Sequence, residues 1–142
     1  MNKSLAATLA ALALAALSPR PSAGADAAWD ACKAQPTRAC VLAIAARDVA
    51  ALDDPYEKAF ALGDLGAARA KAGLTQDADQ DFAQAEQAAD AADGDIMHAG
   101  ALDGLAITLA RAGEIDAATR VEGRVDAGYP DQGWPAIAIA TG

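Results

Sequence analysis

Outside its first 25 residues the chain has no serine and no asparagine: Ser4, Ser18, Ser22 and Asn2 are the full set. That leaves no serine nucleophile for the remainder. Histidine is as scarce, with His98 alone. A Cys–His nucleophile would need Cys32 or Cys40 to be free and near it. Zinc would need His98, both cysteines and a carboxylate, and these residues show no zinc-site spacing. Basic residues number 11 against 20 acids, for a net charge of −9. Binding to nucleic acid or to an anionic lipid surface calls for clustered Lys and Arg, so both are disfavoured; the acidity reads first as a source of solubility. No stretch alternates apolar and polar residues while drawing on Val, Ile, Thr or aromatics, so strands are not expected, nor is a phosphate loop that follows a strand. No cofactor and no metal is implied.

What is present begins with an export signal. Lys3 supplies a positive start, and Leu5 to Leu17 is an unbroken run of Leu, Ala and Thr. The run is too short to span a bilayer and the right length for a signal core. Ser18-Pro19-Arg20-Pro21 then breaks the helix, and Ala23-Gly24-Ala25 offers small residues for cleavage before Asp26. The expected organisation is a secretory signal at 1–25 and one domain at 26–142, in the periplasm or secreted. Cleavage would remove Lys3 and Arg20 while keeping every acid, taking the net charge to −11 over 117 residues. The longest later apolar run, Ala39 to Ala46, is eight residues, so no membrane span is expected in the mature chain.

In an oxidising compartment an even pair of cysteines in a short chain points to a disulfide, here Cys32 with Cys40. Seven residues separate them, which suits neither redox nor zinc motifs. Pro36 lies between them, where a helix would have to turn. Other breaks fall at Asp53-Asp54-Pro55, Gly73-Leu74-Thr75, Ala92-Asp93-Gly94-Asp95, Gly113-Glu114 and Gly128-Tyr129-Pro130. With an alanine-dominated composition these breaks predict an all-α chain. Helices are expected near 26–34, 37–52, 55–72, 75–92, 95–112, 115–127 and 132–140. Short connections make neighbouring helices antiparallel.

The chain also repeats itself. Shifted by 40 residues, Ala61, Leu62, Leu65, Ala70, Ala72, Gly73 and Ala78 meet Ala101, Leu102, Leu105, Ala110, Ala112, Gly113 and Ala118, and Lys71 meets Arg111. Each copy ends a helix with Ala-(Lys/Arg)-Ala-Gly, where glycine can take the left-handed conformation that closes a helix. Gly63, Gly66, Gly100 and Gly104 fall inside the helices and are expected to let neighbours approach closely, at about 1 kcal/mol each relative to Ala.

Residues 59–92 resemble a tetratricopeptide repeat, a helix–turn–helix unit of about 34 residues. Leu65-Gly66 matches its Leu-Gly pair and Ala78-x3-Phe82 its Ala-x3-Phe pair, with Ala85 on the next small position. The second copy, 99–132, has Leu105-Ala106 for Leu-Gly, keeps Ala118, carries Glu122 where Phe is expected, and places Pro130 on the terminal proline. Six residues, Asp93 to His98, lie between the copies, and a partial third unit would begin at about 133. The resemblance implies a short α-solenoid of stacked antiparallel hairpins, with helix 37–52 as a disulfide-stapled cap. It further implies a protein-binding groove along the first helix of each hairpin. Phe60, Gly63, Ala67, Ala70 and Lys71 would line it in one copy, and Gly100, Asp103, Ile107, Ala110 and Arg111 in the other. Lys71 and Arg111 would attract an acidic segment, or else simply face solvent at their helix ends. Tyr129 and Trp134 would anchor the last short helix or make an exposed aromatic contact.

Asp77-Ala78-Asp79-Gln80-Asp81 has the opening of a calcium loop but puts Phe82 at the glycine position and Ala88 at the bidentate glutamate position. Acids in a helix's first turn explain it better. The expectation is a non-enzymatic, exported interaction module of a bacterial envelope with a protein or peptide partner. The alternative is a small helical inhibitor or structural protein acting on one periplasmic enzyme.

Overall fold

The computed structural model describes residues 23–128, and every regular element in them is a helix. In chain order these are α1 (Ala23–Ala34), α2 (Arg38–Ala50), α3 (Pro55–Lys71), α4 (Thr75–Asp90), α5 (Asp95–Ala112) and α6 (Ile115–Gly128). The expected signal core, the expected last helix at 132–140, the partial third repeat, Tyr129, Pro130 and Trp134 lie outside the described residues. α1 starts at Ala23, ahead of the cleavage expected before Asp26.

Local chemistry accounts for the boundaries. Thr37 caps α2, its hydroxyl accepting from the Cys40 amide at 3.2 Å. Asp54 caps α3 by accepting from the Glu57 amide at 3.0 Å, with Pro55 in the first turn, where the missing N–H costs nothing. α3 and α5 end in the same way. Gly73 and Gly113 adopt φ of 78° and 92°. The amide after each reaches back five residues, Leu74 to the Arg69 carbonyl at 3.0 Å and Glu114 to the Leu109 carbonyl at 2.9 Å. This is the Schellman closure, used twice, 40 residues apart.

The two closures produce two hairpins, α3–α4 and α5–α6, and α5 also packs on α3 and α4. α5 therefore has three neighbours, and Ala99, Ala101, Leu102, Leu105, Ala106 and Leu109 are all buried on it. Leu102, Leu105 and Leu109, with Val121 and Val125 of α6, are the largest fully enclosed side chains. Burying each removes about 1.5–3 kcal/mol of unfavourable hydration.

Small residues set the helix separations, as expected. A methyl placed on Gly66 would lie 2.8 Å from the Phe82 ring, so α3 and α4 meet at a distance only glycine permits. Gly104 likewise gives its space to the Phe60 ring, across the contact between α3 and α5. At the N-terminal end α2 packs on α3, while α1 touches α2 and no other described helix. The Cys32–Cys40 disulfide holds α1 there. No described helix is long and apolar enough to cross a membrane.

Candidate functional site

The face predicted to bind a partner is built on α3 and α5. Successive residues of a helix advance by 100°, so Tyr56, Phe60, Gly63 and Ala67 share one stripe of α3. The Tyr56 and Phe60 rings contact each other with centroids 4.9 Å apart. Gly100 faces Tyr56, Gly104 faces Phe60, and Gly63 faces Leu105 and Thr108. Phe60 and Gly63 therefore serve mainly to seat α5 against α3, and the half-buried Phe60 presents only part of its ring outward. Ile107 and Asp103 are half-buried on α5. Burial pushes the Asp103 carboxyl above its usual range.

Lys71 and Arg111 occupy matching positions at the C-terminal ends of α3 and α5, and both are exposed. Neither makes an ion pair with any described residue, whereas most other described cations are engaged. Lys33 pairs with Asp30, Arg47 with Asp48 and Arg69 with Asp81. Arg120 and Arg124 of α6 reach Glu86 and Asp90 of α4, and His98 Nε2 lies 3.4 Å from the same Asp90 carboxylate. Two uncommitted cations one repeat apart, in a chain of net charge −9, form the most distinctive electrostatic feature of this face.

Asp81 departs from its expected role. The run from Asp77 to Asp81 is helical from the outset, since α4 begins at Thr75, and Asp81 lies beyond its first turn. It turns inward with a side chain only 5% accessible. Arg69 Nη1 donates to both of its oxygens at 2.7 and 2.8 Å. Burial pushes the Asp81 carboxyl up, and the adjacent guanidinium partly offsets this. The signal for this pair was in the repeat itself. Shifted by 40, Arg69 and Asp81 become Leu109 and Val121, both fully buried, so the positions are interior in both copies. The neighbouring position is exchanged in the opposite sense: Phe82 in the first hairpin corresponds to Glu122 in the second, and both are buried.

Among the described residues no group of three or more His, Cys, Asp or Glu side chains is placed to hold a metal ion. The chain matches no protein-family model, no curated protein and no solved structure.

Proposed function

We propose that this chain is an exported, non-enzymatic protein-interaction module of the bacterial cell envelope, built as a short tetratricopeptide-like stack. On this reading the α3–α5 face receives an acidic segment of a partner protein. The observation that carries it is the pair Lys71 and Arg111, exposed, in register, and without an ion-pair partner among the described residues. The repeated Schellman closures and the inter-helix glycines support the stacked-hairpin reading. The disulfide supports export, because such bonds persist in oxidising compartments.

Capture from a periplasmic extract tests the proposal, with wild type set against Lys71→Glu/Arg111→Glu and against Arg38→Glu, an exposed cation elsewhere. The double variant should lose the captured proteins and the Arg38 variant should keep them, with binding that weakens as salt rises. An unchanged set from the double variant, or an empty capture from wild type, refutes the proposal. A second reading draws on Ile96, which is 69% exposed beside the exposed Met97 at the start of α5. An apolar anchor of that kind suits an inhibitor or structural protein acting on one envelope enzyme. Recovery of a single stoichiometric enzyme, lost on Ile96→Glu, would favour it.

A further inference from the structure

The start of α5 carries uncovered apolar surface: Ile96 is 69% exposed and Met97 40%. The chain's own repeat shows what such a position holds. Shifted by 40, the α3 residues Tyr56, Phe60, Gly63 and Ala67 become Ile96, Gly100, Asp103 and Ile107 of α5. In the first copy this stripe seats the opening helix of the second. Tyr56 packs over Gly100 and Phe60 over Gly104, each 44 residues further on, while Gly63 meets Leu105 and Thr108. The pairing runs in one direction along both helices, so α3 and α5 are parallel. Each ring lies on a residue with no side chain of its own.

Carried one copy forward, the same register sets residue 140 against Ile96. That residue is Ala140, small where the position opposite is large. Pro135 falls one repeat after Asp95 and two after Pro55, the residues that open α5 and α3. Trp134 to Ala140 reads Trp-Pro-Ala-Ile-Ala-Ile-Ala, an uncharged run in a chain of net charge −9. The path to Ile96 is short. α5 and α6 are joined only by Gly113 and Glu114, which brings Gly128 about level with Ala99. From there Ile96 is roughly 5 Å along the axis and about 8–10 Å to the side. The six residues 129–134 reach up to about 20 Å. A second copy is the poorer occupant, because it would bring two chains of net charge −9 together. A segment on so short a tether acts at an effective concentration in the millimolar range.

We propose that residues 135–142 dock on the start of α5 as the next member of the stack, Ala140 against Ile96, so that the chain itself covers this surface. The contact lies about 22 Å along α5 from Arg111 and does not rest on the acidic partner proposed for Lys71 and Arg111. It does exclude an enzyme anchored at Ile96, since both would occupy the same side chain.

The test is NMR of the full-length protein with its disulfide intact, following NOEs from the Ile96 δ1 methyl to residues 139–141. These NOEs are expected within one chain. Ala140→Asp should abolish them and shift the Ile96 methyl, while the Leu102 and Val125 methyls stay in place and report an intact core. Ile137→Glu should keep them, because it installs the residue found one stack position earlier in the first copy, Glu57, which is exposed there. The proposal is overturned if Ile96 shows no NOE to this segment, or if Ala140→Asp leaves the Ile96 methyl unmoved. NOEs that arise only between differently labelled copies in a mixed sample would identify a second copy as the occupant and overturn it too. So would loss of the contact in Ile137→Glu, which would place the segment in another register.

Discussion

The second hairpin supplies its own control for the buried ion pair in the first. Removing Arg69 by Arg69→Leu leaves Asp81, with 5% of its side chain accessible, as a charge in an apolar hairpin. Such a loss costs about 3–5 kcal/mol. Asp81→Val should cost less, about 1–3 kcal/mol, because Arg69 is 18% accessible and can turn its guanidinium toward solvent. The double variant, Arg69→Leu/Asp81→Val, installs the residues found at the same positions one copy later, Leu109 and Val121, which pack there without exposure. It should recover to within about 1 kcal/mol of wild type or exceed it, because a buried pair replaced by packed apolar groups no longer carries the desolvation cost. Urea unfolding followed by circular dichroism measures all four proteins and gives a coupling energy of at least about 2 kcal/mol. In thermal melts Arg69→Leu should fall by at least about 12 °C, since 1 kcal/mol moves the Tm of a domain this size by about 4–8 °C. Additive losses in the double variant would refute the reasoning. So would an Arg69→Leu protein as stable as wild type.

Two glycines in helices should respond in opposite directions to the same methyl group. Gly66→Ala places it 2.8 Å from Phe82 and should destabilise by about 1–3 kcal/mol, less the gain in helix propensity; Phe82→Leu in the same chain should restore part of the loss. Gly123→Ala meets nothing within 4 Å and should stabilise by up to about 1 kcal/mol; a loss at this position in urea unfolding would contradict the geometry. Reduction of the disulfide, or Cys32→Ser/Cys40→Ser, should free α1, which touches only α2. Hydrogen exchange should then accelerate in residues 23–34 and stay slow in α5, and uniform acceleration across all helices would show that α1 is integral to the core. The chain-entropy model puts the tether at about 2.5 kcal/mol. Asp103 has its folded-state pKa raised above 3.8, so the folded protein holds its proton to higher pH than the unfolded chain does. Stability from this residue is therefore greatest below 3.8 and falls as pH rises through the raised value. Asp103→Asn should gain in Tm relative to wild type across that interval and then hold level, whereas a pH-independent difference would mean that burial does not act on this carboxyl.

Helix boundaries were legible because local chemistry sets them: Pro55 opens α3, Gly73 and Gly113 close α3 and α5, and none of these depends on distant contacts. The cysteine pairing was legible for the same reason, since a separation of eight residues across Pro36 lets two helix ends be bridged. The roles of glycines 63, 66, 100 and 104 followed from the absence of any other reason to place glycine in a helix. What one helix does to another was harder to read. α5 packs on α3, α4 and α6, so its apolar residues surround it and give no single face to follow. Phe60 could be assigned to a binding face because nothing in α3 alone reveals that α5 brings Gly104 beneath its ring. Asp81 sits among other acids, Asp77 and Asp79, which are exposed, and composition hides the one that turns inward.

The comparison between copies exposes what a single copy conceals. At one pair of positions the first hairpin is charged, Arg69 and Asp81, and the second is apolar, Leu109 and Val121; one residue further on the first has Phe82 and the second Glu122. All the α4 and α6 members of these pairs are buried. Each hairpin thus holds one acidic group at this level of its core, at adjacent positions rather than the same one. A hairpin formed from mismatched helices, α3 with α6, would set Arg69 against Val121 and would bring Glu122 to the space beside Gly66 that Phe82 fills. It would lose the charge pairing and the ring packing together. The converse mismatch, α5 with α4, would bury Asp81 against Leu109. The few core positions at which the copies differ would therefore disfavour an exchanged pairing, and a buried charge without its counter-ion would be the main cost of a wrong one.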